Sequence, residues 1–328
     1  MPSLVGGADR LIERARDVIV TEADALRSLA DVLDHHFVAA CYAVLCVRRQ
    51  LVVTGMGKSG HIARKIAATF AATGTPAIFV HPAEAAHGDL GMMVAGDVLL
   101  VLSNSGNTAE LRAVLAFARQ AGITVIGVAS RRKSLVMDMA DITIVLPQMR
   151  EACSANVAPT TSTTMQLALG DALAMAVMDL RGISKNHLRS LHPAGAIGLA
   201  LTPVADIMHG LERLPVVHRE ASMPQAISVM TAGCFGVAGV VDGANCLVGL
   251  ITDGDLRRHF TELPCAFAHE VMTPAPKVIA ADMLAADALQ FLNDNQITAA
   301  FVVEDSALGP QPPLGIVHIH DLLRLGLS

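Results

Sequence analysis

The spacing of apolar and polar residues changes along the chain and divides it into parts. From Asp9 to about Arg48, apolar residues recur at helical spacing, which predicts one or two helices before any strand. Short apolar runs then alternate with turns and helical patterns, at Leu51–Val53, Ala77–Val80, Val98–Leu102, Val125–Val128 and Ile142–Leu146. This alternation predicts an α/β fold in which helices cover both faces of a doubly wound, parallel, five-stranded sheet. We expect the ligand at the carboxyl ends of the strands.

The second part of the chain contains an internal repeat. A loop over Pro147–Pro159, an apolar helix over Thr161–Leu180, and a helix and linker over Gly182–Thr202 are predicted to close the first domain. Beyond them, DIMHGLERLPVV at 206 is echoed by EVMTPAPKVIA at 270, and LVGLITDGDLRR at 247 by PLGIVHIHDLLR at 313. The nearly constant offset predicts two β-α-β-β-α units. The predicted domains are 1–200, 201–263 and 264–328.

Composition and charge narrow the class of protein. Apolar residues make up 52% of the chain and aromatic residues only 3%, which suits a covered parallel sheet better than a base-stacking surface. The net charge of -6 argues against a nucleic-acid partner. The longest apolar run, Phe37–Val47, is shorter than the roughly 18 residues of a membrane span. With no signal-like start and no C-x-x-C pair among its cysteines, the chain is expected to be a cytoplasmic protein without membrane partners.

The segment GMGKSG, which follows the first apolar run, has the spacing G-x-G-x-x-G. Its glycines allow close backbone approach, and the following helix start favours an anion. A Walker A loop would need glycine at position 52, where Val52 stands. A dinucleotide site would need an acidic residue at the end of the second strand, where the sequence reads Phe79-Val80-His81-Pro82. The segment therefore favours a phosphate of another kind.

A second polar loop follows the third apolar run. The hydroxyl side chains of Ser103, Ser105 and Thr108 lie immediately before a predicted helix that begins near Ala109. Several hydroxyls and free amides at a helix start suit the terminal oxygens of a phosphate monoester. An ordinary N-cap needs one such hydroxyl, so three favour a ligand.

These segments, together with two later ones, resemble a known family. GMGKSG, HPAEAAHGDLG, SNSGNTAEL and REACSANVAPTTST resemble sugar-phosphate isomerases of the sugar isomerase (SIS) fold, and the two repeats resemble cystathionine-β-synthase (CBS) domains. The combination is similar to the arabinose 5-phosphate isomerases of the bacterial Kdo pathway. The resemblance implies interconversion of D-ribulose 5-phosphate and D-arabinose 5-phosphate through a cis-enediol. It also implies that no cofactor is required.

The resemblance assigns catalytic residues to four positions: Lys58, Glu110, Glu151 and His192. Such chemistry requires a carboxylate base, a group for ring opening and a positive charge near the developing oxyanion. We expect Glu151 to shuttle the proton and Lys58 to steady the enediolate oxygen. His192 would assist ring opening, in its own or a neighbouring subunit, and Glu110 would orient a hydroxyl or share the acid-base work. The residues expected to contact substrate are Gly55, Gly57, Ser59, His87, Ser103, Asn104, Ser105, Thr108 and Thr161.

Further residues support secondary hypotheses. His81 and His87 bracket an acidic loop and are candidates for inhibitory or adventitious zinc binding. Cys153 is interpreted as a packing residue. In the repeats, a G-h-h-T-x-x-D pattern makes Thr252, Asp255 and Asp321 candidates for a nucleotide or sugar nucleotide, although His318 replaces the second Thr. A purely structural platform is the alternative.

Two rival functions remain open at this point. One is isomerisation of another phosphosugar, and the other is a non-catalytic phosphosugar sensor. The presence of Glu151 and His192 favours an enzyme. We expect a homodimer or a homotetramer.

Overall fold

The computed structural model describes residues 4–193 and 195–327. The chain forms two compact units, Met1–Ser184 and Lys185–Ser328. The division falls before the domain boundary predicted at residue 200. Residues 185–200, which were assigned to the first domain from the sequence, therefore belong to the second unit.

The first unit is built from seven helices and five strands within its described residues. In chain order they are α1 (Leu4–Asp31), α2 (His35–Leu45), β1 (Leu51–Gly55), α3 (Gly57–Ala72), β2 (Ala77–Phe79), α4 (Pro82–Ala85), β3 (Val98–Leu102), α5 (Leu111–Gln120), β4 (Thr124–Ala129), α6 (Leu135–Met139), β5 (Ile142–Val145) and α7 (Thr161–Arg181). A 3-10 turn covers Asp89–Met92. All five predicted strands, the N-terminal helices and the long apolar helix are confirmed.

The five strands form a parallel sheet in the order β2-β1-β3-β4-β5. One core, between the sheet and helices α1, α2, α3 and α7, contains the fully buried Phe70 and Ile66. A second core joins the opposite face to α4, α5 and α6. The predicted doubly wound sheet, covered on both faces, is therefore confirmed.

Helix α7 begins at the edge of the sheet where the strands end. Its last residue, Arg181, donates to the carbonyl oxygens of Val44 and Leu45 at the end of α2. Just after α2 along the chain, the amide of Arg48 donates to the carbonyl oxygen of Gly96, which precedes β3. The C-terminus of α7 therefore lies at the amino edge of the sheet, and its N-terminus lies at the carboxyl edge, beside the start of α3.

The second unit contains two related halves. Its elements are α8 (Lys185–Leu191), α9 (Ala196–Ala200), β6 (Val216–His218), α10 (Met223–Gly233), β7 (Val237–Val241), β8 (Leu247–Thr252), α11 (Asp253–Arg258), α12 (Ala268–Val271), β9 (Thr273–Pro274), β10 (Val278–Ala280), α13 (Ala285–Asp294), β11 (Ala299–Val303), β12 (Gly315–His318) and α14 (Ile319–Arg324). The order β-α-β-β-α occurs twice, from β6 to α11 and from β10 to α14. The repeat is therefore confirmed.

Each half contributes a segment that pairs with the sheet of the other half. Strand β9, at the start of the second half, pairs with β8, and His209, at the start of the first half, pairs with Ile316 in β12. A Cβ at Gly315 would lie 2.6 Å from the sulfur of Met208, and a Cβ at Gly249 would collide with Met272. Both glycines of the repeat therefore leave room for a methionine of the opposite half.

Within the described residues, no helix is both long and apolar enough to cross a bilayer.

We predict that Gly60→Ala destabilises the first unit. A Cβ at Gly60 would lie 2.5 Å from the carbonyl oxygen of Gly55, so α3 would have to move away from β1. Overpacking of this kind costs about 1–3 kcal/mol, measurable by urea or thermal unfolding. The matched control is Gly91→Ala, because a Cβ at this exposed residue meets no atom within 4 Å. Equal stability of the two variants would contradict the argument.

Candidate active site

The loop after β1 places a lysine and a serine at a helix start. Gly57 has a φ of +59°, a backbone conformation that glycine adopts at little cost. Lys58 and Ser59 follow in the first turn of α3, where Lys58 is exposed and Ser59 half-buried. Amides at a helix N-terminus, with a cation beside them, favour an anionic group.

The loop after β3 is held in a defined shape. Ser103 is only 3% exposed, and its Oγ lies 2.9 Å from the Oγ1 of Thr108 and accepts the Gly106 amide at 3.1 Å. The Oγ of Ser105 accepts the amide of Asn107 at 3.3 Å. Two of the three predicted hydroxyls therefore meet, whereas Ser105 is exposed.

Glu110 occupies a different position from the one predicted. The sequence suggested that the helix begins near Ala109, but α5 begins at Leu111 and Glu110 is its N-cap residue. Its side chain makes no capping hydrogen bond and is exposed. It therefore lies at the end of the β3 loop.

The β1 and β3 loops begin side by side. Gly55, the last residue of β1, is in register with Leu102, the last residue of β3. A residue that the sequence analysis missed, Ser130 after β4, donates from its amide and its Oγ to the carbonyl of Asn104, at 3.0 and 2.7 Å. The β3 loop is thus fixed from the neighbouring strand. Only a knowledge of strand order could have identified Ser130.

Glu151 lies at the N-terminus of α7. Its Oε2 accepts the amide of Thr160 at 2.8 Å, the Oγ1 of Thr160 at 3.2 Å and the amide of Ser162 at 3.3 Å. Burial alone would raise the pKa of Glu151, but the donors at Ser162 and Thr160 outweigh it and hold the pKa below its usual value. The carboxylate is therefore ionised at neutral pH. These three hydrogen bonds all reach Oε2.

Buried polar side chains accumulate on the first turns of α7. Thr161, Ser162 and Gln166 are at most 4% exposed. The hydroxyl of Thr161 and both side-chain amide atoms of Gln166 have no hydrogen-bond partner among the described residues. Because buried polar groups are nearly always satisfied, these atoms point to a bound ligand or ordered water.

Gln166 was not identified from the sequence. It lies one turn before Gly170, whose missing side chain makes room for Ile66 of α3. Residues four apart lie on the same face of a helix, so Gln166 also faces α3. It lies one turn nearer the carboxyl edge of the sheet than Gly170. A polar residue within the apolar run from Met165 to Leu169 was the available signal.

The remaining candidates of the first unit lie elsewhere in the loops. His81, after β2, is half-buried with an unpaired Nδ1, and His87 is exposed. Neither belongs to a group of three close metal ligands among the described residues. Cys153 accepts the amides of Val157 and Ala158 at 3.0 and 3.1 Å, which lower the pKa of its thiol. Its sulfur therefore organises the loop that carries Glu151.

His192 belongs to the second unit. It follows α8, is half-buried, and its Nδ1 lies 2.8 Å from the carbonyl oxygen of Leu188. The predicted catalytic set is thus divided: Lys58, Glu110 and Glu151 come from the first unit and His192 from the second.

The candidate residues of the repeats act as helix caps. Thr252 and Asp255 form a capping box at α11, and the other oxygen of Asp255 accepts Arg258 at 2.5 Å and Thr273 at 3.2 Å. At α14, His318 and Asp321 form the equivalent box. Histidine at position 318 thus retains the capping role of the first repeat's threonine.

Comparison with known proteins agrees with this architecture. Residues 45–176 match the SIS domain, and residues 204–262 and 268–328 each match the CBS domain. "Arabinose 5-phosphate isomerase KdsD" of Pseudomonas aeruginosa is 42% identical over 320 residues, which cover 96% of this chain and 97% of that protein. The protein of the same name from Yersinia pestis is 40% identical over 319 residues, 96% of each chain.

Among solved structures, an Escherichia coli CFT073 protein in complex with arabinose 5-phosphate is 36% identical. The alignment covers 56% of this chain and 98% of that one, with a TM-score of 0.55. Near-complete coverage by relatives of about 40% identity, with the same domain order, leads to one conclusion. The chain belongs to the arabinose 5-phosphate isomerase family, in which an SIS domain is followed by a pair of CBS domains.

Proposed function

We propose that the protein interconverts D-ribulose 5-phosphate and D-arabinose 5-phosphate and so supplies Kdo and lipopolysaccharide synthesis. The observation that carries this proposal is the convergence of three loops at one edge of the sheet. The β1 loop brings Lys58, the β3 loop brings the paired hydroxyls of Ser103 and Thr108, and the start of α7 brings the ionised Glu151. The near-full-length similarity to enzymes named for this activity supports the choice of substrate.

The proposed reaction moves a proton between two carbons. The carboxylate of Glu151 removes a proton from C1 of the open-chain ketose, giving a cis-enediolate. It returns the proton to C2, while a proton passes from O1 to O2, and the aldose results. Because its hydrogen bonds make Glu151 a weak base, the reaction relies on stabilisation of the enediolate, which we assign to Lys58. Glu110 orients a hydroxyl, and His192 assists ring opening from the same or a neighbouring subunit.

The phosphate is assigned to the β3 loop. Ser103, Asn104, Ser105 and Thr108 surround it, and the amides at the starts of α3 and α5 add a favourable field. Gly55, Gly57, Ser59, His87 and Thr161 complete the proposed substrate contacts. The proposal requires no redox cofactor, because the hydrogen moves as a proton. Zinc at His81 and His87 would act only as an inhibitor or an adventitious ligand.

The test is incubation of the metal-free protein with ribulose 5-phosphate in deuterated water, with NMR detection of arabinose 5-phosphate. We predict that Glu151→Gln lowers kcat by about 10²–10⁴-fold, because the amide retains the cap but cannot accept the proton. The control is Glu304→Gln, at an exposed carboxylate in the second unit. Full turnover in Glu151→Gln would remove Glu151 from the mechanism. Absence of turnover in the wild type, with retained phosphosugar binding, would favour the sensor, and turnover of another phosphosugar only would change the substrate.

We further propose that Gln166 supports the substrate through ordered water beneath the β1 loop. Its unpaired buried amide predicts that Gln166→Met leaves the free energy of unfolding unchanged or raises it. Loss of one water-mediated hydrogen bond to the substrate would raise KM by about 2- to 10-fold with little change in kcat. Met165→Leu, at the adjacent buried position, is the control. An unchanged KM in Gln166→Met would assign the amide a purely structural role.

A homodimer or homotetramer is proposed from the N-terminal helices. Exposed large apolar side chains cover α1, α2 and the turn between them, namely Leu11, Ile12, Ile19, Val20, Val32, Leu33, Val38 and Tyr42. Positions 11 and 12 repeat one and two turns later as Ala15, Ile19 and Val20, which gives α1 a continuous apolar stripe. A second copy of the same stripe would cover it isologously.

We predict that Ile19→Glu shifts the protein towards smaller species in sedimentation velocity. A charge on the apolar stripe would be buried unpaired if two copies packed there. Glu13→Gln, on the same helix, is the control that changes charge outside the stripe. An unchanged assembly in Ile19→Glu would show that this face is not the interface.

For the CBS pair, a structural platform is the better supported interpretation of the first repeat. The oxygens of Asp255 are already engaged by Thr252, Arg258 and Thr273. A nucleotide or sugar nucleotide near Thr252, Asp255 and Asp321 is kept as the alternative. The free state of all six cysteines is in keeping with a reducing compartment, and we propose the cytoplasm.

A further inference from the structure

Three consecutive metal-ligating side chains converge at the corner between α1 and α2. The Oδ2 of Asp34 lies 3.1 Å from the Nδ1 of His36 and 3.9 Å from the Nδ1 of His35. One ligand atom from each residue lies within 4.8 Å of the others. Within residues 4–193 and 195–327, this is the one group of three histidine, cysteine or acidic side chains with that property.

The spacing suits a tetrahedral transition metal. Bonds of about 2.0–2.2 Å from zinc to nitrogen or oxygen place neighbouring ligand atoms roughly 3.3–3.5 Å apart. The distance from Asp34 to His36 is slightly shorter, and that from Asp34 to His35 slightly longer. A cation that replaces the proton shared by Asp34 and His36 therefore requires only small side-chain movements.

The carboxylate is positioned in advance. Asp34 is the N-cap of α2, and its Oδ1 accepts the amide of His36 at 2.9 Å. This bond fixes the plane of the carboxylate and leaves Oδ2 towards the two rings. Imidazole nitrogens favour zinc and related ions over calcium or magnesium.

The cluster lies at the rim of a cavity of about 450 Å³. Asp34 and His36 line this cavity, together with Ser130, Arg132 and Gln148. Two of the three ligands thus border a cavity whose walls combine these polar groups with apolar side chains such as Leu29, Phe37 and Leu146. An ion bound there has room for a fourth ligand, either water or an anionic group.

We propose that Asp34, His35 and His36 form a binding site for a zinc-like divalent transition metal, with its fourth coordination position open to the cavity. The site is distinct from the pair His81 and His87 and is independent of the proposed isomerase chemistry.

The experiment uses the full-length protein without a histidine tag. Co²⁺ is titrated and followed by visible spectroscopy, and Zn²⁺ affinity is measured by competition. We expect one ion per chain with the d–d absorption of a tetrahedral nitrogen and oxygen site and without a thiolate charge-transfer band. Asp34→Asn, which keeps the N-cap, and His36→Gln should each weaken binding by at least about 10-fold.

The control is the double variant His81→Gln and His87→Gln, which should bind with wild-type affinity. Circular dichroism of each variant checks that α2 is retained. Wild-type affinity in a triple variant of Asp34, His35 and His36 would overturn the proposal. So would a thiolate band, which would place the ion on cysteines, or loss of binding in the control, which would place it on the β2 loop.

Discussion

The site depends on the close approach of α3 to the end of β1. Gly60 lies against the carbonyl of Gly55, and no larger residue fits there without moving the helix. This contact fixes the first turn of α3, and with it Lys58 and Ser59, at the carboxyl edge of the sheet. Because β1 and β3 end in register, the first turn of α3 and the β3 loop begin side by side at that edge.

Glu151 combines a structural and a chemical role. Its carboxylate satisfies donors at the start of α7, which would otherwise be unpaired near the ligand. The same bonds keep the carboxylate ionised. A base used in this way is weak, so the site must stabilise the product of deprotonation, and a lysine on the neighbouring helix start suits that requirement. The position of the proposed base Glu151 therefore depends on the folding of α7.

The two halves of the CBS pair stabilise each other through reciprocal packing contacts. Each half contributes a methionine that packs where the other half has glycine, and each closes a strand-to-helix turn with a capping box. Burial and the nearby His320 lower the pKa of His318, so its neutral ring accepts a backbone amide at the start of α14, much as the threonine does in the first repeat. The two turns are chemically different but locally equivalent.

Local pattern alone determined the parallel sheet, its five strands, the internal repeat and the loops that carry Lys58, Ser103 and Glu151. These features depend on the periodicity of apolar residues and on glycine and hydroxyl clusters, which act over a few residues. The tertiary structure decided which groups meet. Ser130 reaches Asn104 only because β4 lies beside β3, and Gln166 is buried only because α7 packs on α3. Both oxygens of Asp255 are engaged in hydrogen bonds, and ligand atoms of Asp34, His35 and His36 lie close together. Both features depend on side-chain conformations, which the pattern of the sequence does not show.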